Sequence, residues 1–307
     1  MMSTEPLDLV AIDKSWVDVL LKVPALPQRD SKVLATPLSK QAGGAGGNVA
    51  CAASRLGLRT GMVSWVGDDP DHALILASLR EFGVEASQVQ VKPNTATNYT
   101  TVLLDPSGEK AIIIVPTTFD TLTLTSALTA YLQQTRCVYT TPYDLEQVER
   151  MARVVRPAGG LLVTDVEPVA GLSDETFRHL LSLVDIVFID GDGLAGAEPE
   201  GVAKELQASG PRLVVISFGA QGSLACEAGR VTHCPAFSVP VVDTTGAGDC
   251  FAAACLAAHL NGFSTEAMLR YASAAAALSI QGHGARGALP THPQVQAFLN
   301  EHPAQGI

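Results

Sequence analysis

The chain alternates between short apolar runs and longer stretches in which apolar residues recur at helical spacing. The short runs predict buried strands, because glycine, proline or acidic residues bound them. The longer stretches predict helices that begin at acidic or hydroxyl residues and end at glycines. The predicted strands are residues 7–12, 61–67, 136–140, 160–166, 185–190 and 212–218, and the predicted helices include residues 49–56, 68–82, 145–155, 173–183, 198–208, 250–258 and 265–280. Such alternation predicts an α/β fold with a doubly wound, mostly parallel sheet flanked by helices, which binds ligands outside the carboxyl ends of its strands.

Two segments interrupt this alternation with strands that follow one another directly. Residues 17–39 are typical of an antiparallel ribbon, and residues 95–115 of a hairpin that turns at Asp105-Pro106-Ser107-Gly108. We expect the two ribbons to pair as a small β-sheet lid. The predicted division of the chain is residues 1–14, 42–93 and 119–307 for the α/β domain, and residues 15–41 and 94–118 for the lid.

The amino-acid composition and net charge indicate which kinds of molecule the protein could bind and in which compartment it would function. Of 307 residues, 47% are hydrophobic and 17% charged, which favours a large core over disorder. The net charge of −11 argues against nucleic acid and anionic membranes as partners. The six cysteines form no Cys-x-x-Cys pair, so we expect buried free thiols in a reducing compartment. Because the N terminus does not resemble a signal peptide and no apolar run is long enough to cross a membrane, we expect a cytoplasmic protein.

The segment Asp243-Thr244-Thr245-Gly246-Ala247-Gly248-Asp249 immediately precedes an Ala-rich stretch that is apolar on every side. A glycine-rich turn at a helix start presents unpaired N–H groups and the positive end of the helix dipole, and such a place binds phosphate. Asp249 would repel a resting phosphate, but it would suit a base that takes a proton from an attacking hydroxyl. The local pattern is equally consistent with a first-turn acid that merely stabilises the helix.

A second glycine cluster, Gly43-Gly44-Ala45-Gly46-Gly47-Asn48, precedes the predicted helix at residues 49–56. Asn48 could cap that helix or hold a ligand hydroxyl, and the cap is the commoner role. The spacing matches neither a P-loop nor a dinucleotide fingerprint. Asp18 lies in the apolar first ribbon, where the pattern alone favours a carboxylate that faces water at a sheet edge.

Acidic residues also follow the predicted strands, at Asp165, Glu167, Asp190 and Asp192. They could hold Mg²⁺ through water or cap the helices that follow, and the pattern does not separate these roles.

The order of these motifs along the chain resembles the ribokinase-like sugar kinases, also called phosphofructokinase-B-type carbohydrate kinases, from about residue 7 to residue 290. The resemblance implies that Asp249 is the catalytic base and that Gly246, Ala247 and Gly248 form an anion hole for the transferred phosphoryl group. It implies sugar binding by Asp18, Gly43, Gly44 and Asn48. It further implies nucleotide binding by Ser217, Gly219, Gly222 and His283, and a K⁺ site at Asp243, Thr245, Gly284 and Ala288.

The chain departs from the family pattern at two places. Asp13 stands where the family often has glycine. The family's Asn-x-x-Glu motif falls at Asp190-Gly191-Asp192-Gly193, and both of its ends are changed. Ketohexokinase-like and sulfofructose-kinase-like members lack the motif too, and residues 236–249 look like theirs. However, Val115 and Pro142 do not suit the binding of a sulfonate, so the substrate stays unassigned. In place of the altered motif, we expect Asp190 to hold Mg²⁺ through water.

The resemblance therefore implies an ATP- and Mg²⁺-dependent kinase that phosphorylates a primary hydroxyl of a small sugar or polyol. One alternative is a nucleoside kinase whose lid residues Trp16, Asn98 and Tyr99 contact the base. Another is a sugar-binding regulatory protein without catalysis. By the same analogy, we expect a homodimer formed through the lid.

Overall fold

The computed structural model describes residues 6–106, 110–117, 122–166, 173–194 and 198–303. Its strands are β1 (Leu9–Ile12), β2 (Trp16–Lys22), β3 (Thr36–Gly43), β4 (Thr60–Gly67), β5 (Glu85–Lys92), β6 (Asn98–Leu104), β7 (Lys110–Val115), β8 (Cys137–Thr140), β9 (Leu161–Val166), β10 (Ile186–Asp190), β11 (Leu213–Ser217), β12 (Ser223–Glu227) and β13 (Arg230–Cys234). Its helices are α1 (Ala45–Arg55), α2 (Asp71–Glu81), α3 (Ser126–Gln133), α4 (Leu145–Val155), α5 (Asp174–Leu183), α6 (Pro199–Ala208), α7 (Ala247–Leu260), α8 (Thr265–Ser279) and α9 (His292–Glu301).

The larger sheet has the strand order β13-β12-β11-β10-β9-β8-β1-β4-β5 within the described residues. The strands from β5 to β11 in this order pair in parallel, and β12 and β13 add an antiparallel edge. Helices cover both of its faces. The prediction of a doubly wound, mostly parallel sheet flanked by helices is confirmed.

Alternate residues of the central strands supply the two apolar layers of the core. In β1, Leu9 and Ala11 pack into the layer that includes α1, α2, α7, α8 and α9. Val10 and Ile12 point to the opposite layer, with α3, α4, α5 and α6. Strand β1 is fully buried because parallel strands covered on both faces have no water-facing side.

Helix α7 lies inside the first layer and contacts α1 and α8. Its residues 250–258 are all buried, which agrees with a stretch that is apolar all round. Since most of these side chains are alanine or cysteine, the neighbouring helices can approach closely.

The smaller sheet has the order β3-β2-β6-β7. Strands β2 and β3 pair antiparallel, as do β6 and β7, and the two ribbons join through a parallel β2–β6 pairing. The strands occur in the segments assigned to the ribbons, although β3 continues to Gly43. Residues 107 and 108 of the predicted hairpin turn, and the predicted boundary at residues 118–119, lie outside the described residues.

The start of α1 differs from the prediction. The helix begins at Ala45, with Gly44 as its N-cap at φ 92°, so Gly46, Gly47 and Asn48 are helical and Asn48 is not a cap. Glycine is a poor helix former, and a long-range contact overrides that preference. The backbone N–H of Gly46 donates to Asp13 Oδ2 at 3.0 Å, so the cap comes from the end of β1.

Sequence patterns missed β5, β12, β13, α3 and α9. The β12–β13 hairpin turns at Ala228 and Gly229, both at positive φ (49° and 76°). That backbone suits a two-residue hairpin turn, but Ala-Gly is a weaker signal for it than Asn-Gly or Asp-Gly.

Asp185 fastens the amino end of the larger sheet, opposite the strand ends that carry the predicted site. It is 2% exposed and its Oδ2 accepts the N–H of Leu162 at 3.0 Å. The guanidinium groups of Arg156 and Arg212 lie 3.5 and 3.6 Å from its Oδ1.

We expect Asp185→Ala to lower the free energy of unfolding by about 2–4 kcal/mol, because a buried amide loses its acceptor and two cations lose their partner. Urea unfolding measures the change. Asp185→Asn keeps an acceptor oxygen and should lose less. Equal losses in the two variants would contradict the role of the amide acceptor.

Candidate functional site

Two cavities open at the carboxyl ends of the parallel strands. One, of about 550 Å³, lies between the ends of β1 and β8 and the small sheet, and we call it the small-sheet cavity. The other, of about 500 Å³, lies between the end of β11 and helices α7 and α8, and we call it the helix cavity. A cleft of about 90 Å³ next to the N terminus of α7 is the central cleft.

Asp249 lies in the first turn of α7 and lines the central cleft. Its Oδ2 accepts a hydrogen bond of 2.8 Å from Asn48 Nδ2. Asn48 belongs to α1, so this bond joins two helix N-termini. The structure thus brings together Asn48 and Asp249, the predicted site residues at the ends of the two glycine-rich segments.

Gly246 and Gly248 shape the start of α7. Gly246 is its N-cap at φ 75°, and a Cβ there would lie 2.6 Å from the Cβ of Ala285. The N–H of Ala247 donates to Thr244 O at 3.2 Å. Gly248 borders both the helix cavity and the central cleft, with open space where a Cβ would be. First-turn amides of a helix have no partner in its own ladder, so this end of α7 suits an anion.

Asp18 points into the small-sheet cavity. Strand β2 lies between β3 and β6, so the interpretation of Asp18 as a water-facing edge carboxylate is wrong. Its Oδ1 accepts the hydroxyl of Thr100 at 2.6 Å. Burial raises the pKa of Asp18, while the Thr100 hydrogen bond and the charge of Arg286 oppose that rise.

The glycines at the end of β3 give Asp18 and its neighbour Trp16 their space. A Cβ on Gly43 would lie 2.0 Å from Asp18 Oδ2, and one on Gly44 would lie 2.8 Å from Trp16 Cδ1. Gly44 lines the small-sheet cavity as well. These two predicted positions therefore act by leaving room for larger side chains.

Arg286 is a member of the site that the sequence patterns missed. Its Nε donates to Asn48 Oδ1 at 2.9 Å, its Nη1 to Ser78 Oγ at 2.9 Å and its Nη2 to Gly43 O at 3.2 Å. The available signal was one cation in the glycine-rich stretch 281–290 of an acidic chain. That signal does not predict which groups Arg286 contacts, because all three of its hydrogen-bond partners lie more than 200 positions away in the sequence.

Asp13 is buried where β1 meets α1 and borders the small-sheet cavity. Besides the amide of Gly46, it accepts the N–H of Lys14 at 2.7 Å and the hydroxyl of Thr141 at 3.2 Å. Burial nevertheless raises the pKa of Asp13 to about 6.

The predicted nucleotide residues Ser217, Gly219 and Gly222 line the helix cavity. Gly222 has φ 98°, and a Cβ there would lie 2.3 Å from Cys234 O. His283 is exposed and does not line this cavity, so its contact with a nucleotide stays a prediction. The pattern did not single out the apolar wall, which includes Phe237, Val239, Val241, Ala276, Ala277 and Ile280.

Three of the residues assigned to a K⁺ site lie together. Asp243 Oδ1 accepts the N–H and hydroxyl of Thr245 at 2.9 and 2.7 Å, and Asp243 Oδ2 accepts the N–H of Gly284 at 2.8 Å. Ala288 packs against Gly282, where a Cβ would lie 2.6 Å from the Cβ of Ala288. The carboxylate therefore ties the segment before α7 to the loop that carries Arg286.

Two of the four acidic residues that follow the strands line the central cleft. Asp165 and Asp190 line the central cleft with Asp249, while Asp192 is exposed. Asp190 Oδ1 also accepts the N–H of Asp192 at 3.0 Å, as a cap does. Glu167 lies outside the described residues. Within the described part of the chain, no cluster of three His, Cys, Asp or Glu side chains has the arrangement of a metal site.

Other features of the described residues bear on the setting of the protein. All six cysteines are free thiols, and five of them are buried. None of the described helices has the length and apolar character that a membrane crossing requires.

The chain is also similar in sequence and in overall fold to known proteins. The family model described as pfkB family carbohydrate kinase matches residues 7–292. The chain is 30% identical over 302 residues to a ribokinase of Bacillus subtilis, covering 95% of this chain and 99% of that protein. It is also 30% identical over 299 residues to an ATP-dependent ribose-1-phosphate kinase of Halopiger xanaduensis, covering 94% and 96%. The structure of Arabidopsis thaliana ribokinase complexed with ribose and ATP superposes with a TM-score of 0.85 at 26% identity, covering 96% of this chain and 99% of that one.

Asp13 makes stability depend on pH. Because its pKa is higher in the folded chain than the ordinary 3.8, its contribution is full below that value and is lost as the pH rises through about 6. We expect the free energy of unfolding of the wild type, relative to Asp13→Asn, to fall by about 2 kcal/mol between pH 4 and pH 7. Urea unfolding across this range measures the difference. A difference that grows with pH would mean that the hydrogen bonds outweigh burial.

Proposed function

The chain belongs to the pfkB family of carbohydrate kinases, and we propose that it transfers the γ-phosphoryl group of ATP to a primary hydroxyl of a small, uncharged sugar or polyol. The observation that carries this proposal is the position of Asp249. It lies in the first turn of α7, in the cleft beside the helix cavity, and is hydrogen-bonded to Asn48.

The proposed substrate lies in the small-sheet cavity, with its hydroxyls held by Asp18, Asn48 and the backbone at Gly43 and Gly44. Asp249 takes the proton of the reacting hydroxyl. The hydroxyl oxygen forms a bond to the γ-phosphorus, and the bond from that phosphorus to the β–γ bridging oxygen breaks, which releases ADP. The first-turn amides at Gly246, Ala247 and Gly248 stabilise the charge on the phosphoryl group as it moves.

The helix cavity would hold the nucleotide, with Ser217, Gly219 and Gly222 along its phosphate side and apolar residues along the rest. The carboxylates of Asp165 and Asp190 fit Mg²⁺ held through water, and that ion would neutralise phosphate charge. We further propose K⁺ beside Asp243, Thr245 and Gly284, because hydrogen bonds from the N–H groups of Thr245 and Gly284 hold the Asp243 carboxylate in place there. We also propose that the protein works in the cytoplasm, because ATP is present there and because the buried cysteines are free thiols, as in a reducing compartment.

Charge supports an uncharged substrate. The small-sheet cavity is lined by Asp13, Asp18 and Asp144, with Lys14 as its one lining cation among the described residues. Three carboxylates repel an anion at short range. We therefore expect discrimination against phosphorylated sugars.

Closure of the small sheet over the cavity is proposed as well. Thr100 and Ile114 from that sheet line the cavity, so its position sets how much water reaches the reacting hydroxyl.

A nucleoside is the second candidate substrate, because Trp16, Trp65 and Tyr143 line the same cavity and offer flat apolar surfaces to a base. Of the three residues that the sequence suggested for the base, Trp16 lines this cavity, whereas Asn98 and Tyr99 do not. Asn98 is fully buried and accepts the N–H of Thr117 at 2.9 Å. Tyr99 alternates with the cavity-lining Thr100 along β6 and points to the other face. The third candidate, a regulatory protein without catalysis, has only the altered segment at residues 190–193 in its favour.

The first test is Asp249→Asn. We expect kcat to fall by about 10³-fold or more, since the proton acceptor is lost, while sugar and ATP still bind. A coupled ADP assay with ribose, fructose-type ketoses, adenosine, pseudouridine and ribose 5-phosphate measures activity, and calorimetry measures binding. Asp192→Asn, an exposed acid two residues from Asp190, is the matched control and should keep full activity. A kcat of Asp249→Asn within tenfold of the wild-type value would refute the assignment of Asp249 as the catalytic base.

The edge strand β7 supports a homodimer formed through the small sheets. Ile112, Ile113 and Ile114 are each more than half exposed, and alternate side chains of a strand occupy opposite faces. A row of exposed apolar residues on an edge strand is a surface that pairing with a second copy would cover.

We expect light scattering to give twice the mass of one chain. Ile113→Asp should shift the protein toward the mass of one chain, because a charge would then have to be desolvated at the contact. Val91→Asp, at a half-exposed position on the far edge of the larger sheet, is the control. If light scattering gives the mass of a single chain for the wild type, the proposed homodimer is refuted.

A further inference from the structure

Arg286 joins three separate parts of the chain at the edge of the proposed reaction centre. Its guanidinium donates to the Asn48 side chain of α1, to Ser78 of α2 and to the Gly43 carbonyl at the end of β3. These three hydrogen bonds end on α1, α2 and β3, and none of the three ends on the start of α7. Through them, Arg286 acts on the groups that it holds.

The Asn48 amide has two ends of nearly the same shape and opposite hydrogen-bonding character. The carboxylate of Asp249 can only accept, and the guanidinium of Arg286 can only donate. With both present, one orientation satisfies every contact: Oδ1 faces Arg286 at 2.9 Å and Nδ2 faces Asp249 at 2.8 Å. Without the guanidinium, Oδ1 loses the Arg286 donor that fixes the orientation of the amide from that side.

We propose that Arg286 is a positioning residue for the reaction: it locks the Asn48 amide so that its N–H donates to Asp249 and thereby fixes the proposed base. This inference rests on the proposed function. Asp249 then meets the substrate hydroxyl in one orientation, and the Asn48 donor stabilises its ionised form until it takes the proton.

The glycine cluster is built around this guanidinium. A Cβ on Gly47 would lie 2.5 Å from Arg286 Nη2. Gly47→Ala therefore displaces the guanidinium without changing its charge or any atom of Asn48 and Asp249. It provides a second variant that tests position separately from charge.

The competing explanation is that Arg286 only fastens its loop to α2. Ser78→Ala removes that contact and leaves the Asn48 contact in place. Arg286→Lys keeps the charge but cannot reproduce three directed donors, and Arg286→Ala leaves a space that free guanidinium ions can enter.

The experiment compares Arg286→Ala, Arg286→Lys, Gly47→Ala and Ser78→Ala with the wild type. For the first three we expect kcat to fall on the order of 10²-fold with KM for ATP within threefold, since a misplaced base affects the chemical step. The acidic limb of the kcat–pH profile should move to higher pH, because Asp249 loses its donor. Guanidinium ions should restore part of the kcat of Arg286→Ala, and Ser78→Ala should behave as the wild type does.

A kcat for Arg286→Ala within threefold of the wild type, with an unchanged pH profile, would overturn the proposal. An equal loss in Ser78→Ala would overturn it too. The side-chain amide resonances of Asn48, assigned by their absence in Asn48→Asp, give a readout without catalysis. They should shift in Arg286→Ala and not in Ser78→Ala, even if no substrate tested is phosphorylated. Unchanged resonances would refute the lock, whereas missing activity in the wild type would refute only the proposed function.

Discussion

The hydrogen bond between Asn48 and Asp249 joins residues that lie 201 positions apart, and the arrangement of the whole site depends on it. It forms because α1 and α7 pack side by side on one face of the larger sheet. The buried side chains of α7 are small, so the two helix starts come close enough for an amide to reach a carboxylate. The backbone position of the proposed base is thus set by core packing, which is close to rigid.

The early glycine cluster makes room for three charged side chains. A Cβ at Gly43 would strike Asp18, one at Gly46 would lie 2.5 Å from the Cβ of Asp13, and one at Gly47 would meet Arg286. Each of these glycines therefore has its own partner. Burying charges costs free energy, and the hydrogen bonds that these three side chains make offset part of that cost.

The sequence was sufficient for the features that local pattern determines and insufficient for those that distant contacts determine. The spacing of apolar residues and the glycine, proline and acidic residues between them predicted six of the nine described strands of the larger sheet, both ribbons and the turn before α7. The start of α1 could not be predicted, because the group that caps it, Asp13, lies 33 positions from Gly46. The role of Arg286 could not be predicted either, because its three hydrogen-bond partners also lie far away in the sequence. Asp18 was misjudged by pattern because the parallel pairing of β2 with β6, which makes β2 an interior strand, leaves no local signal.

The two helix N-termini account for the way in which, under the proposed function, an acidic chain would place a sugar and a phosphate on opposite sides of the Asp249 carboxylate. Both ends carry positive partial charge and would attract anions. At α1, Asp13 already accepts the Gly46 amide, so that end is neutralised and borders the small-sheet cavity. At α7, Gly248 leaves open space between the helix cavity and the central cleft. In the proposed function, the aspartate at position 13 would therefore leave the start of α7 as the end that attracts the phosphoryl group, and the cavity beside α1 would take neutral hydroxyls.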